Sequence, residues 1–215
     1  MPILTNQASR FLGGGKKWYT AAGAPMPVAV YQPKGAASLA ASRINLANPG
    51  TYDAADGVAP TFDPATGWAF DGAKFLATGI TAATGWSALV RFTDCTMIGY
   101  QTAIGAYNGA NDRFQIMPSF AGGKLYGNGG ALIFDPPTAI AGGVMAIAGS
   151  AAYLDGIAES GAMGAWDGPG AQIYIGSRNA IPNDPFIGKI QAIAIYDSTL
   201  TAGQVAAISA AMAAL

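Results

Sequence analysis

Histidine is absent from this chain, and glutamate occurs once, as Glu159. Without imidazole there is no Ser-His-Asp triad, no Cys-His pair and no His-ligated zinc site. The one cysteine, Cys95, has no partner for a disulfide within the chain. It lies between Thr93 and Thr96 in a strand-like run and reads as a small buried hydrophobe. Charge is scarce, with 11 basic residues against 12 acidic and a net charge of −1. The only adjacent basic pair is Lys16-Lys17, so the sequence offers no basic stripe for nucleic acid and no polybasic segment for a membrane surface. Gly13–Gly15 ahead of those lysines lacks the spacing and the hydroxyl residue of a phosphate loop. The longest apolar stretches, 139–152 and 205–215, fall short of the roughly 20 residues a membrane helix needs. Met1 to Gly15 contain no apolar run followed by a cleavage site, so no export signal is expected.

What the chain does have is alternation and turns. In Trp86–Thr93 the residues Trp86, Ala88, Val90 and Phe92 fall on one face, with Ser87, Leu89, Arg91 and Thr93 on the other. The same period recurs at Arg113–Met117, Gln172–Ile175 and Gln191–Tyr196. Between such runs lie Asp56-Gly57, Asp71-Gly72, Asn108-Gly109, Asn128-Gly129, Asp155-Gly156 and Asp167-Gly168, pairs that supply the positive φ of tight turns. Short strands separated by turns predict an all-β sandwich or barrel, and no fixed repeat suggests a propeller or solenoid. Thr201-Ala-Gly-Gln204 has the form of a capping box flanked by Leu200 and Val205 as a staple. Val205, Ile208, Met212 and Leu215 then recur on one face, predicting a short C-terminal helix packed against the sandwich.

Residues 1–27 read differently, being punctuated by Gly and Pro without alternation. A structureless terminus is one reading. The clustering of Phe11, Leu12, Trp18 and Tyr19 favours the other, an extended arm that docks on a neighbouring subunit, ahead of a sandwich domain over 28–215.

Tyr153-Leu-Asp-Gly-Ile157, Ile173-Tyr-Ile-Gly176, Gly67-Trp-Ala-Phe-Asp-Gly72 and above all Phe186 through Ile208 resemble the opening strands, hairpins and closing strand-plus-helix of concanavalin A-like (LamG-like) domains. The resemblance implies a two-sheet antiparallel jelly roll. Tyr31 through Asp53 is similar to LamG-like proteins of tailed bacteriophages, which implies a virion location and other virion proteins as partners, in capsid decoration or in a tail fibre. Gln191 and Ala192 stand where many members of the family carry acidic residues, so no ionic role is carried over to them.

That family includes glucanases, whose acid cluster needs two glutamates around an aspartate on one strand. One glutamate cannot supply it. Asp53, Asp56 and Asp63 sit in turn contexts that explain them without catalysis, so the expectation is no enzyme. The leading reading is a structural virion protein, and the alternative a module that binds a host-surface glycan. For the glycan the nominated residues are Trp166 and Asp167 in one loop, and Tyr107, Asn108, Asn111, Asp112 and Arg113 in another; Trp68 and Trp86 read as core. The family's usual ion is calcium, for which Asn108–Asp112 and Asn183-Asp184 are the candidate loops, though both read as ordinary turns and no metal ligand is assigned. So few solubilising groups predict a homo-oligomer, a trimer associated with the particle.

Overall fold

In the computed structural model the described residues are 17–109, 112–128, 131–135, 138–161 and 170–215. The expected arm residues Phe11 and Leu12 lie outside them. Along the chain come β1 (Ala29–Tyr31), one helical turn α1 (Leu39–Ser42), β2 (Ala55–Val58), β3 (Thr61–Asp63) and β4 (Gly67–Asp71). Next are β5 (Phe75–Thr81), β6 (Ser87–Thr93), β7 (Ile104–Tyr107), β8 (Arg113–Phe120), β9 (Gly123–Asn128) and β10 (Ala131–Asp135). The chain closes with β11 (Gly143–Ala148), β12 (Ala151–Leu154), β13 (Ile157–Ala158), β14 (Gln172–Ile175), β15 (Ile187–Tyr196) and α2 (Ala202–Ala213).

Among the described residues the strands form two sheets, antiparallel throughout. One runs β13-β12-β11-β6-β15-β4-β3 with β1 also paired to β15, and the other runs β10-β9-β8-β7-β14-β5-β2. The fold is the expected all-β two-sheet sandwich of jelly-roll type with a short C-terminal helix. Its main core lies between the sheets, where Ala88, Val90 and Phe92 of β6 meet Phe114 and Ile116 of β8, Ile173 and Ile175 of β14, and Trp68 and Phe186. Trp86 packs half-buried at the edge of this core. Cys95 is part of it, and burial pushes its thiol up to about 12. The thiolate is the reactive form, so iodoacetamide at pH 8 is expected to leave the folded protein unlabelled and to label it fully in urea, as read by intact mass.

The polar-looking face of β6 is not solvated. Leu89, Val144, Ala146, Ala192 and Ala194 are covered by Val205, Ile208 and Met212 of α2. The capping box that starts α2 is complete, with Gln204 N donating to Thr201 Oγ1 and Thr201 N to Gln204 Oε1. Arg91 donates from Nη1 to the Met212 carbonyl at the far end of α2.

Residues 17–27 join the same layer. Trp18–Gly23 forms 3-10 turns packed along α2. Tyr19 is buried, its carbonyl accepting from the Tyr196 hydroxyl at 2.7 Å, while Trp18 Nε1 donates to Gln32 at 2.8 Å. The anchors expected to reach a neighbouring subunit, Trp18 and Tyr19, are engaged by their own chain, because α2 leaves an apolar groove beside the sheet that their rings fill.

One expected turn is a strand. Asp56-Gly57 lies within β2, whose pairing to β5 is broken by a bulge between Asp56 and Val58. A Cβ at Gly57 would overlap the Phe75 ring, so the glycine admits that ring across the strand. Asp155-Gly156 behaves as read, with φ of 50° and 81° in the turn joining β12 to β13.

Candidate functional site

Along β7, Ile104 and Ala106 enter the core, so Gly105 and Tyr107 point to the opposite, outer face of the seven-stranded sheet. Arg113 of β8 lies directly across from Tyr107, and Gln115 across from Gly105. The hairpin between them is closed by Asn108 N donating to the Asp112 carbonyl at 2.9 Å and Asp112 N to that of Gly109 at 3.2 Å. Asn108 Nδ2 then donates to Asp112 Oδ2 at 3.0 Å.

The same carboxylate oxygen accepts the Gly170 amide at 3.2 Å. A Cβ on Gly170 would stand 2.8 Å from Asn108 Nδ2. Gly170 is therefore tied to Asp112 at the junction of β7 and β8. Asn111, Trp166 and Asp167 themselves lie outside the described residues.

A residue that sequence reasoning missed completes the arrangement. Arg178 follows β14 in a short loop folded back over Gly105, where an added Cβ would come within 2.8 Å of Arg178 Cα. Its guanidinium lies 4.4 Å from the Tyr107 ring centroid, with that of Arg113 at 5.5 Å from the same ring. Arg178 Nη1 is paired with Asp184 at 2.8 Å, and the Asp184 carbonyl accepts from Thr102 N, which fixes the loop to the sheet. Burial shifts the Arg113 guanidinium below its ordinary value; Tyr107 opposes the shift and the charge of Arg178 adds to it. Tyr107 is thus not the bare sugar platform its sequence context suggested, since a guanidinium already occupies its ring. The only sequence signal for Arg178 is that arginine is rare here, and two of five are spent on one tyrosine.

Three buried polar atoms in this region have no hydrogen-bond partner among the described residues: Asp112 Oδ1, Gln115 Nε2 and Arg178 Nε. Buried groups of this kind are uncommon in folded proteins and draw a water or a ligand.

In the candidate calcium loops the described carboxylates and amides have these partners. Asp184 is held by Arg178, Asn183 Nδ2 donates to Asn179 at 3.4 Å, and Asp112 Oδ2 accepts two N–H groups. Among the described residues no three acidic, His or Cys side chains converge. The acids considered for catalysis have local partners. Asp53 accepts from the amides of Asn45 and Gly50, Asp56 pairs with Arg43, and Asp63 accepts from Ala65 N. Glu159 is 3.2 Å from Lys124, whose side chain is only 3% exposed. Trp68 is fully buried, with Nε1 on Ser42 Oγ at 2.7 Å.

No protein-family model matches the chain, and no curated protein matches it in sequence. Solved structures match it in shape. Domain 4 of AbnA, a GH43 extracellular arabinanase from Geobacillus stearothermophilus, in complex with arabinotriose, superimposes with a TM-score of 0.60 at 17% identity, over 85% of this chain and 98% of that one. Trypanosoma rangeli sialidase in complex with sialic acid gives 0.58 at 13% identity, over 89% of this chain but 34% of the sialidase. The receptor binding domain of botulinum neurotoxin D gives 0.57 at 10%, over 86% of this chain and 52% of that domain. At these identities the likeness is one of fold: a β-sandwich that occurs both in binding modules and in parts of enzymes.

Proposed function

We propose that this chain is a non-enzymatic carbohydrate-binding module, with its site at the end of the seven-stranded sheet where Tyr107, Asn108, Asp112, Arg113, Gly170 and Arg178 meet. The observation that carries the reading is that Asp112 Oδ2 ties Asn108 and Gly170 together, on a sheet scaffold of the kind that positions binding residues. The arabinotriose complex of the arabinanase domain supports it by analogy of fold. The local engagement of Glu159, Asp53, Asp56 and Asp63 supports binding without hydrolysis, and the engagement of Asp112 and Asp184 supports binding without a metal.

Asp112→Ala removes the bonds to Asn108 and Gly170 without touching the core. It is expected to weaken glycan binding on an array by about tenfold or more, while the melting temperature moves by no more than roughly 4 °C. Equal binding by the variant, or release of reducing ends from a bound glycan, counts against the proposal.

Placement on a bacteriophage particle, as a trimeric capsid decoration or tail protein, is the second part of the proposal and rests on the resemblance of Tyr31–Asp53. Quantitative mass spectrometry of purified particles tests it: hundreds of copies fit a decoration, a few dozen fit a fibre, and none removes the virion.

A further inference from the structure

Ile98 is the most exposed large apolar residue among the described residues, with 78% of its surface open, and Met97 and Tyr100 beside it are half exposed. The loop that carries them, between β6 and β7, is pinned by its backbone. Cys95 N donates to the Ala141 carbonyl at 2.8 Å and Thr96 N to that of Ile187 at 2.9 Å. Buried Gln101 donates from Nε2 to the Ile98 carbonyl at 3.0 Å and accepts Ile187 N through Oε1 at 2.6 Å. Ser119 Oγ donates to the Gly99 carbonyl at 3.0 Å. Gly188 lets the loop lie close to β15, since a Cβ there would stand 2.9 Å from Cys95 Cα. Tied at these points, the loop holds its apolar side chains in water, where covering them is favourable. Ile187, also exposed, lies next to the loop, and Tyr100 meets the Phe120 ring at 4.8 Å. Together they make one apolar surface at the end of the sandwich where β6 leads into β7.

The charges at the rim of this surface decide what can cover it. Asp94, which opens the loop, pairs with Lys189 at 2.8 Å, and Asp71 pairs with Lys74 at 3.2 Å. The second pair flanks Gly72, where a Cβ would lie 3.3 Å from Ile187 Cγ1. In each pair the carboxylate is the more exposed partner, 63% against 34% and 58% against 20%. An anionic bilayer would meet those carboxylates first and be repelled. A second copy of the chain would not, because every carboxylate brings its own counter-ion and two such rims meet without gathering net charge. An apolar centre inside a polar, neutral rim has the anatomy of a protein interface, and it is complementary to itself. A loop already fixed in place also loses little freedom when it is covered.

We propose that Met97, Ile98, Tyr100 and Ile187 form a contact between copies of this chain, the same surface meeting itself around a symmetry axis. This goes beyond the carbohydrate-binding reading and does not rest on it; it gives the homo-oligomer expected from the scarcity of charge a surface. The Asn108–Asp112 hairpin lies at the other end of β7, so the contact and the candidate glycan site can be tested separately.

The test is light scattering of the full chain across size exclusion, loaded at about 5 to 200 µM. The mass of the parent is expected to rise with concentration towards a whole multiple of 21.7 kDa. Ile98→Lys sets like charges against one another at the axis and is expected to raise the dissociation constant about thirtyfold or more. Met97→Lys should act in the same direction. Both side chains project into water, so circular dichroism and melting curves of the variants should match the parent. Ile157→Lys is the control: Ile157 is 75% exposed but sits in β13, at the edge of the same sheet, and its replacement is expected to leave the mass unchanged. A parent that stays monomeric at every concentration overturns the inference, as does an oligomer that Ile98→Lys and Met97→Lys leave intact. A monomeric parent that floats with phosphatidylcholine vesicles, and no longer does so as Ile98→Lys, gives the surface to a lipid and overturns the contact between copies. None of these outcomes bears on glycan binding, which Asp112→Ala reads at the other end of β7.

Discussion

Replacing Asn45 with alanine is expected to cost about 4 kcal/mol of stability, the sum of several buried polar groups left unpaired. Asn45 is fully buried and uses its whole hydrogen-bonding capacity. Nδ2 donates to the carbonyls of Val28 and Thr51, and Oδ1 accepts from the amides of Val30 and Ala47. Those amides and carbonyls belong to β1 and to the loop that crosses it, and no other side chain can serve both. For a chain of this size the loss corresponds to a drop in melting temperature of roughly 10 °C. Asn45→Asp separates hydrogen bonding from volume, since it keeps the shape but turns oxygen towards two carbonyls. It should be at least as damaging. A melting curve for Asn45→Asp that matches the parent would mean that the site is held by packing.

Glu159→Leu is expected to cost about 3 kcal/mol, because it takes away a carboxylate 3.2 Å from an ammonium group that is nearly all buried. Lys124 shares the phase of Tyr126 on β9 and turns inward, where Glu159 meets it at 3.2 Å. Exchanging both partners, Lys124→Met with Glu159→Leu, should recover most of the loss. Urea unfolding of the parent, the single variant and the double variant decides the matter. A single variant within about 1 kcal/mol of the parent would show that this ion pair is solvated.

The fold and the candidate site were legible in the sequence to different degrees. Alternation exposed β6, β8, β14 and β15, because each sends one face into the inter-sheet core. The Thr201–Gln204 box located α2 because capping is a local event, read from four residues. Leu89 and Arg91 were assigned to a face of their own, but nothing local said that α2 would cover it. The clue was the Ala192 and Ala194 pair, small residues where a helix backbone must come close. Trp18 and Tyr19 announced themselves as anchors, yet their docking surface lies at Tyr196 and α2, at the other end of the chain. The candidate site divides in the same way. Tyr107, Asn108, Asp112 and Arg113 are neighbours in sequence and could be nominated together. Arg178 could not, since its meeting with Tyr107 depends on β14 pairing with β7 and on the missing side chain at Gly105. Asp56-Gly57 misled for a related reason: its glycine answers to Phe75, not to a turn.

The position of β15 bears on how the molecule is made. Residues 187–196 pair with β6 along one side, and with β4 and β1 in succession along the other. Among the described residues, the strand latest in sequence therefore lies inside its sheet. Until the ribosome has delivered it, β1, β4 and β6 have no common partner, and the edges they offer are open to pairing with another nascent chain. The eight-stranded sheet can close only after residues 187–196 have been synthesised, and the long-range pairings that close it are slow to form. Translation interrupted before residue 187 would release fragments in which β6 and β4 each keep one open edge, so vulnerability to aggregation is greatest before residues 187–196 emerge.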